Sequence, residues 1–321
     1  MASEVSAAAP RVVSLLPAAT EIVAALGALG QLVGVTHECD HPEGVASLPR
    51  VTASAVDRDG PSATIDADVR ELAASGTPAF TLDAALLASL EPDVVLTQTL
   101  CDVCALPAGV VHRAIASLPA APRSVTLDGT TLDGVWLDVR RVGEAIGRGA
   151  EAEALVEASA ARLRRVHELL KAARAPRPRV VVLEWLDPPF AAGHWVPELV
   201  RRAGGVDALA QPGAHSVVVD VDAVRAAAPD VLLLAPCGFG VTRAEREGAA
   251  LLGRAEWRWA RACEVWALDG NALTSRPGPR LVDAVETMAA IFAPALFDAP
   301  DDAYARRVVD GSPPRGRPPM A

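Results

Sequence analysis

Two thiols lie three residues apart in the stretch TQTLCDVC, where Cys101 and Cys104 follow the apolar run EPDVVL. A Cys-x-x-Cys pair is chemically ambiguous: it serves as a redox couple, as half of a metal site, or as two small packing residues. Cys39 lies in HECDHP after the apolar LVGVT, and Cys237 lies in PCGF after DVLLL, so four of the five cysteines follow strand-like runs. Thiolates favour zinc, copper(I) or iron-sulfur clusters. Cys39, Cys101, Cys104 and Cys237 are therefore candidate ligands for a tetrahedral zinc or a four-iron cluster, with Cys263 outside as a structural thiol. The competing expectation is that these thiols fill loop space beside a ligand, because Cys39 and Cys237 lack the paired spacing of a metal motif.

The same loops hold other side chains able to bind. His37, Glu38 and Asp40 flank Cys39, and Gln98 precedes the cysteine pair. EWLDPPF contributes Trp185, GHW contributes His194 and Trp195, and Phe239 follows Cys237. Aromatic faces suit a flat apolar ligand, and an indole N–H reaches a polar edge group. Catalysis is the rival class. A Cys39 nucleophile with His37 as its base is conceivable, but no G-x-S-x-G elbow, dinucleotide loop or P-loop is present, and GFGVTR lacks the third glycine of the dinucleotide pattern. Lys171 is the only lysine and lies in a charged helical stretch, so Schiff-base chemistry has no candidate. The expectation is a binding protein, not an enzyme.

These loops need strands and helices to hold them. Arg11-Val-Val-Ser-Leu-Leu reads as a buried strand, followed by Pro17 and a helix carrying Glu21 that ends near Gly27. Arg179-Val-Val-Val-Leu-Glu repeats the plan, with Pro188 and Pro189 in its loop and Glu198 on its helix, ending near Gly204. Pro92-Asp-Val-Val-Leu is echoed by Pro229-Asp-Val-Leu-Leu. The pattern predicts an α/β protein of two Rossmann-like lobes with mainly parallel sheets, residues 11–130 and 176–297. Between them, 131–175 shows helical apolar spacing and reads as one long bridging helix, with a bend expected at Gly147 and a stop at Pro176 and Pro178. The tail 298–321 is rich in Pro, Gly and charge and is expected to be poorly ordered. In open α/β sheets ligands lie outside the carboxyl ends of the strands, where these loops fall.

Composition narrows the partners. Thirty basic against forty acidic residues give a net charge of −10 without a basic cluster, which argues against nucleic acid and anionic membranes. No stretch reads as a membrane span. MASEVSAAAP lacks the basic start of an export signal, and five cysteines do not form a disulfide framework, so the sequence predicts a cytoplasmic protein, with a periplasmic one as the alternative if the start is mis-called.

RVVSLLPAATEIVAALG, LVGVTHECDHP, EPDVVLTQ, LEWLDPPFAAGHWVPELVRRAGG and SRPGPRLVDAVE, in that order, resemble the vitamin-B12 and iron-siderophore class of periplasmic substrate-binding proteins of ABC transporters, and within it the cobalamin-binding branch. The likeness covers roughly residues 11–295. It implies the class III substrate-binding-protein fold and cobalamin or a related corrinoid held between the lobes, unchanged by the protein. It also implies that Trp185 and Trp195 touch the ligand, and that His37 or His194 is a candidate ligand to cobalt. Glu21 and Glu198 match the glutamates that dock on permease arginines in that family. The implied partners are an ABC permease or a corrinoid-handling protein.

Overall fold

In the computed structural model, residues 9–99 and 108–308 are described. Arg11 opens the N-terminal lobe: β1 (Val12–Ser14), α1 (Pro17–Ala25) and β2 (Leu32–Gly34) are followed by an excursion of β3 (Thr52–Ser54), α2 (Ser62–Ser75) and β4 (Phe80–Leu82). The chain then returns through α3 (Ala84–Ser89), β5 (Val94–Gln98), α4 (Ala108–Ala116) and β6 (Arg123–Leu127). The sheet has the order β2-β1-β5-β6, every neighbouring pair parallel, while β3 and β4 form a separate antiparallel pair.

The bridge is helical, but it is not the one long helix expected: two helices meet around Gly147. Helix α5 (Leu132–Ala145) starts at Thr131, whose hydroxyl accepts from the Gly134 amide, and α6 (Gly149–Ala172) follows after Gly147 at φ +72°. Gly143 permits the close turn, since a Cβ there would lie 2.5 Å from the Ala152 Cβ. Arg140 and Glu153 pair at 2.8 Å across the bend.

The second lobe follows: β7 (Arg179–Leu186), β8 (Pro189–Ala191), α7 (Val196–Arg202), β9 (Val206–Asp207), β10 (Val217–Val218), α8 (Val221–Ala226) and β11 (Val231–Leu234). After these come α9 (Val241–Gly253), β12 (Glu264–Leu268), α10 (Gly270–Leu273), α11 (Leu281–Phe292) and β13 (Ala305–Arg307). Its parallel strands run β9-β7-β11-β12, the same plan as β2-β1-β5-β6, with β8, β10 and β13 added antiparallel.

The repeat extends to single hydrogen bonds. The Arg11 amide donates to Asp93 at 2.8 Å and its guanidinium to the Leu90 carbonyl; the Arg179 amide donates to Asp230 at 2.7 Å and its guanidinium to the Ala227 carbonyl. Before each Pro-Asp, one residue takes a left-handed conformation, Glu91 at φ +43° and Ala228 at φ +45°.

Alternation along the strands sorts the core. Val12, Val94 and Leu96 face inward, together with Val180, Val182 and Leu233, and they share one apolar cluster with α1, the bridge and α11. Val13 and Val95 point to a second cluster under α4, and Val181, Leu183, Leu232 and Leu234 to a third under α9. One core therefore runs through both lobes and the bridge. Ala305–Arg307 corrects the expectation of a poorly ordered tail over this part of 298–321: its backbone pairs with Leu268 to Trp266, and Ala305 is buried, so ladder bonds and burial outweigh the polar composition.

Candidate functional site

The loop after β2 is held by hydroxyls. The ring Nδ1 of His37 lies 2.7 Å from the Thr52 hydroxyl, which also accepts from the His37 amide, and the ring stacks on Phe80 at 5.6 Å. Its Nε2 is buried without a protein partner, and burial lowers its pKa, so the ring is neutral at pH 7. Glu38 pairs with Arg58. Asp40 reaches the other lobe, accepting from Arg276 at 2.5 Å and Asn271 at 2.9 Å. Burial opposes its charge, but the guanidinium and amide outweigh it and hold the carboxyl below the usual range. Gln98 ends β5, half-buried.

The facing wall comes from β7 and its loops. Trp185 is half-buried, meets Phe239 edge-on at 5.3 Å, and carries an indole N–H sealed from solvent without a partner. Phe239 is buried beneath Arg243, whose guanidinium carbon lies 3.5 Å from the ring centre. Glu184, one residue away, is half-buried, and loss of solvent pushes its carboxyl up against the opposing Ser216 hydroxyl and Gly193 amide. The Glu184 carbonyl accepts from the Cys237 amide at 2.9 Å. His194 adopts φ +52° and packs edge-on against His215 at 5.2 Å; its Nε2 is buried without a partner, and burial lowers its pKa.

Several expected site residues belong to the framework instead. Cys39 sits in the core, its sulfur 3.1 Å from the Thr20 hydroxyl and 3.4 Å from that of Thr36, and burial pushes its thiol up. Its sulfur is therefore engaged inside the core by two hydroxyls, as a packing residue is. Cys101 and Cys104 lie outside the described residues, and among the described residues no group of three His, Cys, Asp or Glu side chains is placed to hold a metal. The zinc and iron-sulfur expectation finds no support. Trp195 is also core, 7% exposed, and donates its indole N–H to the Thr274 carbonyl at 2.8 Å.

Glu21 and Glu198 are corrected too, because both are buried and engaged within the chain. Glu21 accepts from Arg276 and Arg280, while Glu198 accepts from the Leu132 amide at 3.1 Å and pairs with Arg201 and Arg202. They are reciprocal clasps: α1 grips the segment before α11, and α7 grips the start of the bridge. Neither carboxylate is presented to a permease.

The residues that sequence reasoning missed are mostly charged groups that cross between lobes. Arg276 belongs to SRPGPR and Arg243 to GFGVTR, stretches read respectively for family likeness and for a missing glycine. Their partners lie far away in sequence, Glu21 for one and the carbonyls of Arg58 and Gly60 for the other, so no local spacing marks them.

Two lobes, a two-helix bridge, and an unpartnered indole N–H and two unpartnered imidazole nitrogens in the loops at the strand ends suit a binding protein. Residues 12–257 match the periplasmic binding protein family, and the chain belongs to it. It is a substrate-binding chain and not a catalytic one. The vitamin B12-binding protein of Vibrio cholerae serotype O1 is 25% identical over 282 residues, 87% of each chain. Among solved structures, a periplasmic heme-binding protein from Pseudomonas aeruginosa matches with a TM-score of 0.69 at 24% identity, covering 92% of this chain and 97% of its own. The periplasmic vitamin B12-binding protein of Vibrio cholerae matches with a TM-score of 0.63 at 21% identity, covering 89% and 98%. These likenesses support the resemblance to the cobalamin-binding branch and the class III fold.

The same matches overturn the cytoplasmic expectation, because the family and these relatives are periplasmic. Cys39 shows why cysteine count misleads: a thiol locked in a core against two hydroxyls is inert, so it carries no information about compartment. Among the described residues no helix is long and apolar enough to cross a membrane.

Proposed function

We propose that the cleft at the carboxyl ends of the two sheets binds cobalamin or a related corrinoid as cargo and that the chain delivers it to an ABC permease. The observation that carries this reading is the indole N–H of Trp185, buried without an acceptor beside the edge-on ring of Phe239. A buried donor left unpaired costs about 1–3 kcal/mol, and a ligand acceptor would remove that cost. A flat macrocycle rimmed by amides offers both a face for the indole and a carbonyl for its N–H. The relative named a vitamin B12-binding protein, aligned along 87% of both chains, supports the same ligand.

Heme is the second reading. It is favoured by His37 and His194, whose Nε2 atoms are unpartnered on rings kept neutral by burial, the form that ligates iron. Titration of the purified chain with hydroxocobalamin, cobinamide and hemin, followed by calorimetry and absorbance, separates the readings. Corrinoid binding that weakens in Trp185→Ala is expected. Binding of hemin alone replaces the corrinoid with heme, and no heat with any of the three sinks both.

A further inference from the structure

Arg243 makes three kinds of contact at once. Its Nη1 and Nη2 donate to the carbonyl oxygens of Arg58 and Gly60 in the other lobe, its Nε lies 3.3 Å from Glu247, and its guanidinium carbon lies 3.5 Å from the centre of the Phe239 ring. Glu247 in turn accepts from the Ser62 amide at 3.2 Å and from the Ser62 hydroxyl. Ser62 opens α2, is buried, and stands 185 residues from Glu247 in sequence. The Arg58 side chain pairs with Glu38 and occupies the space a side chain at Gly238 would need, where φ is +75°. The excursion between β2 and α3 thus leaves its own lobe and fastens onto α9 and the loop before it.

We propose that residues 57–62 are a latch across the mouth of the ligand cleft, and that Arg243 bolts this latch to the aromatic pair Trp185 and Phe239. The bonds are charge-assisted and shielded, since Arg243 and Glu247 are 21% and 16% exposed, so each is stronger than a surface pair. Arg243 covers one face of Phe239, the face this latch assigns to a flat ligand. Ligand entry therefore requires the guanidinium to leave the ring, and the same movement releases the Arg58 and Gly60 carbonyls. Closure and ring coverage are one event. The gating consequence rests on the proposed ligand reading, whereas the latch itself does not.

Hydrogen exchange on the full chain, without ligand, tests the latch. Arg243→Ala is expected to raise exchange of the amides of residues 58–66 about tenfold, while β1 and β5 keep their protection. Unchanged exchange at 58–66 in a folded variant overturns the latch. Ser62→Ala, which removes one hydroxyl donor to Glu247, gives a smaller increase at the same amides and serves where Arg243→Ala does not fold; unchanged exchange there overturns the latch equally. Stopped-flow association of cobinamide tests the gate, with binding to Arg243→Ala expected to be about tenfold faster. Raised exchange with an unchanged association rate keeps the segment mobile but refutes its gating role. A wild-type chain that binds no corrinoid counts against the proposed ligand, and the exchange result still decides the latch.

Discussion

Arg276 reaches from the C-terminal lobe to Glu21 on α1, 2.9 Å away, with the two side chains only 5% and 3% exposed. Arg280 joins the same carboxylate and Asp40 the same guanidinium, making a four-residue ionic cluster inside the lobe contact. Burial works against the charge on Arg276, yet Asp40 and Glu21 hold its proton more tightly than an ordinary arginine does. Removing Glu21 takes the shared carboxylate from Arg276 and Arg280, whose side chains are only 5% and 15% exposed. Glu21→Ala is expected to cost about 3 kcal/mol or more in urea unfolding, the size seen when a buried pair loses one partner. A loss below about 1 kcal/mol, the range of a surface pair, would contradict the cluster.

Glu184 and Asp40 give opposite pH signatures. Burial raises the folded-state pKa of Glu184, so the folded chain retains a proton that the unfolded chain releases, and its contribution to stability falls as pH rises above about 4.3. Glu184→Gln is expected to raise Tm at pH 8 and to leave it nearly unchanged at pH 4. Asp40 has a lowered folded pKa, so its contribution is present above about pH 4 and is lost as pH falls through the folded value. Asp40→Asn should destabilise at pH 7 and lose its effect under acid. Melting curves of both variants across this range check the two signs, and a Glu184→Gln gain that persists at pH 4 refutes the assignment.

The lobe plan was legible because each strand repeats the same local chemistry. Arg11 and Arg179, Pro92-Asp93 and Pro229-Asp230 stand at matching places in the sequence and make matching bonds. Gly147 stands at φ +72° where α5 gives way to α6, a conformation that favours glycine. The site was less legible, since side-chain type does not reveal burial depth. Trp185 and Trp195 look alike in sequence, yet one is half-buried with an unpartnered indole N–H and the other is core. Glu21 and Glu198 stand at matching places in the sequence, but Arg276 and the Leu132 amide, which engage them within the chain, come from distant segments. The Ser62–Glu247 contact spans 185 residues, and no period or motif encodes it.

Lobe motion should be small. The inward faces of both sheets, α5, α6 and α11 share one apolar cluster, so a wide swing would expose core residues such as Val139, Leu163 and Met288. Small-angle scattering profiles with and without a bound corrinoid are expected to be nearly superimposable, and a large contraction would refute the shared core as the limit on motion.

Cys39 should behave as a packing residue. Its thiol is buried against Thr20 and Thr36, and burial raises its pKa, so little thiolate forms at neutral pH. Iodoacetamide at pH 7.5 is expected to leave Cys39 unlabelled in the native chain and to label it fully in urea, as peptide mass mapping reads out. Rapid native labelling would place this sulfur at an accessible surface and reopen its role as a ligand.

The two tryptophans of the cleft loops should separate stability from binding. Trp195 is packed in the central cluster, with its indole N–H satisfied by Thr274, so Trp195→Ala removes a large buried ring and leaves that carbonyl without its donor. A loss of about 3–5 kcal/mol is expected for such a truncation. Trp185 is half-buried beside Phe239, and its N–H has no acceptor to lose, so Trp185→Ala should cost about 1 kcal/mol or less in stability. Its expected effect is on affinity, a weakening of corrinoid binding by about tenfold or more, as for an aromatic anchor at the centre of a contact. Urea melts and calorimetric titrations of both variants measure the contrast. If Trp195→Ala keeps its stability and loses binding while Trp185→Ala does the reverse, the roles assigned to the two rings are exchanged and the proposed ligand wall is wrong.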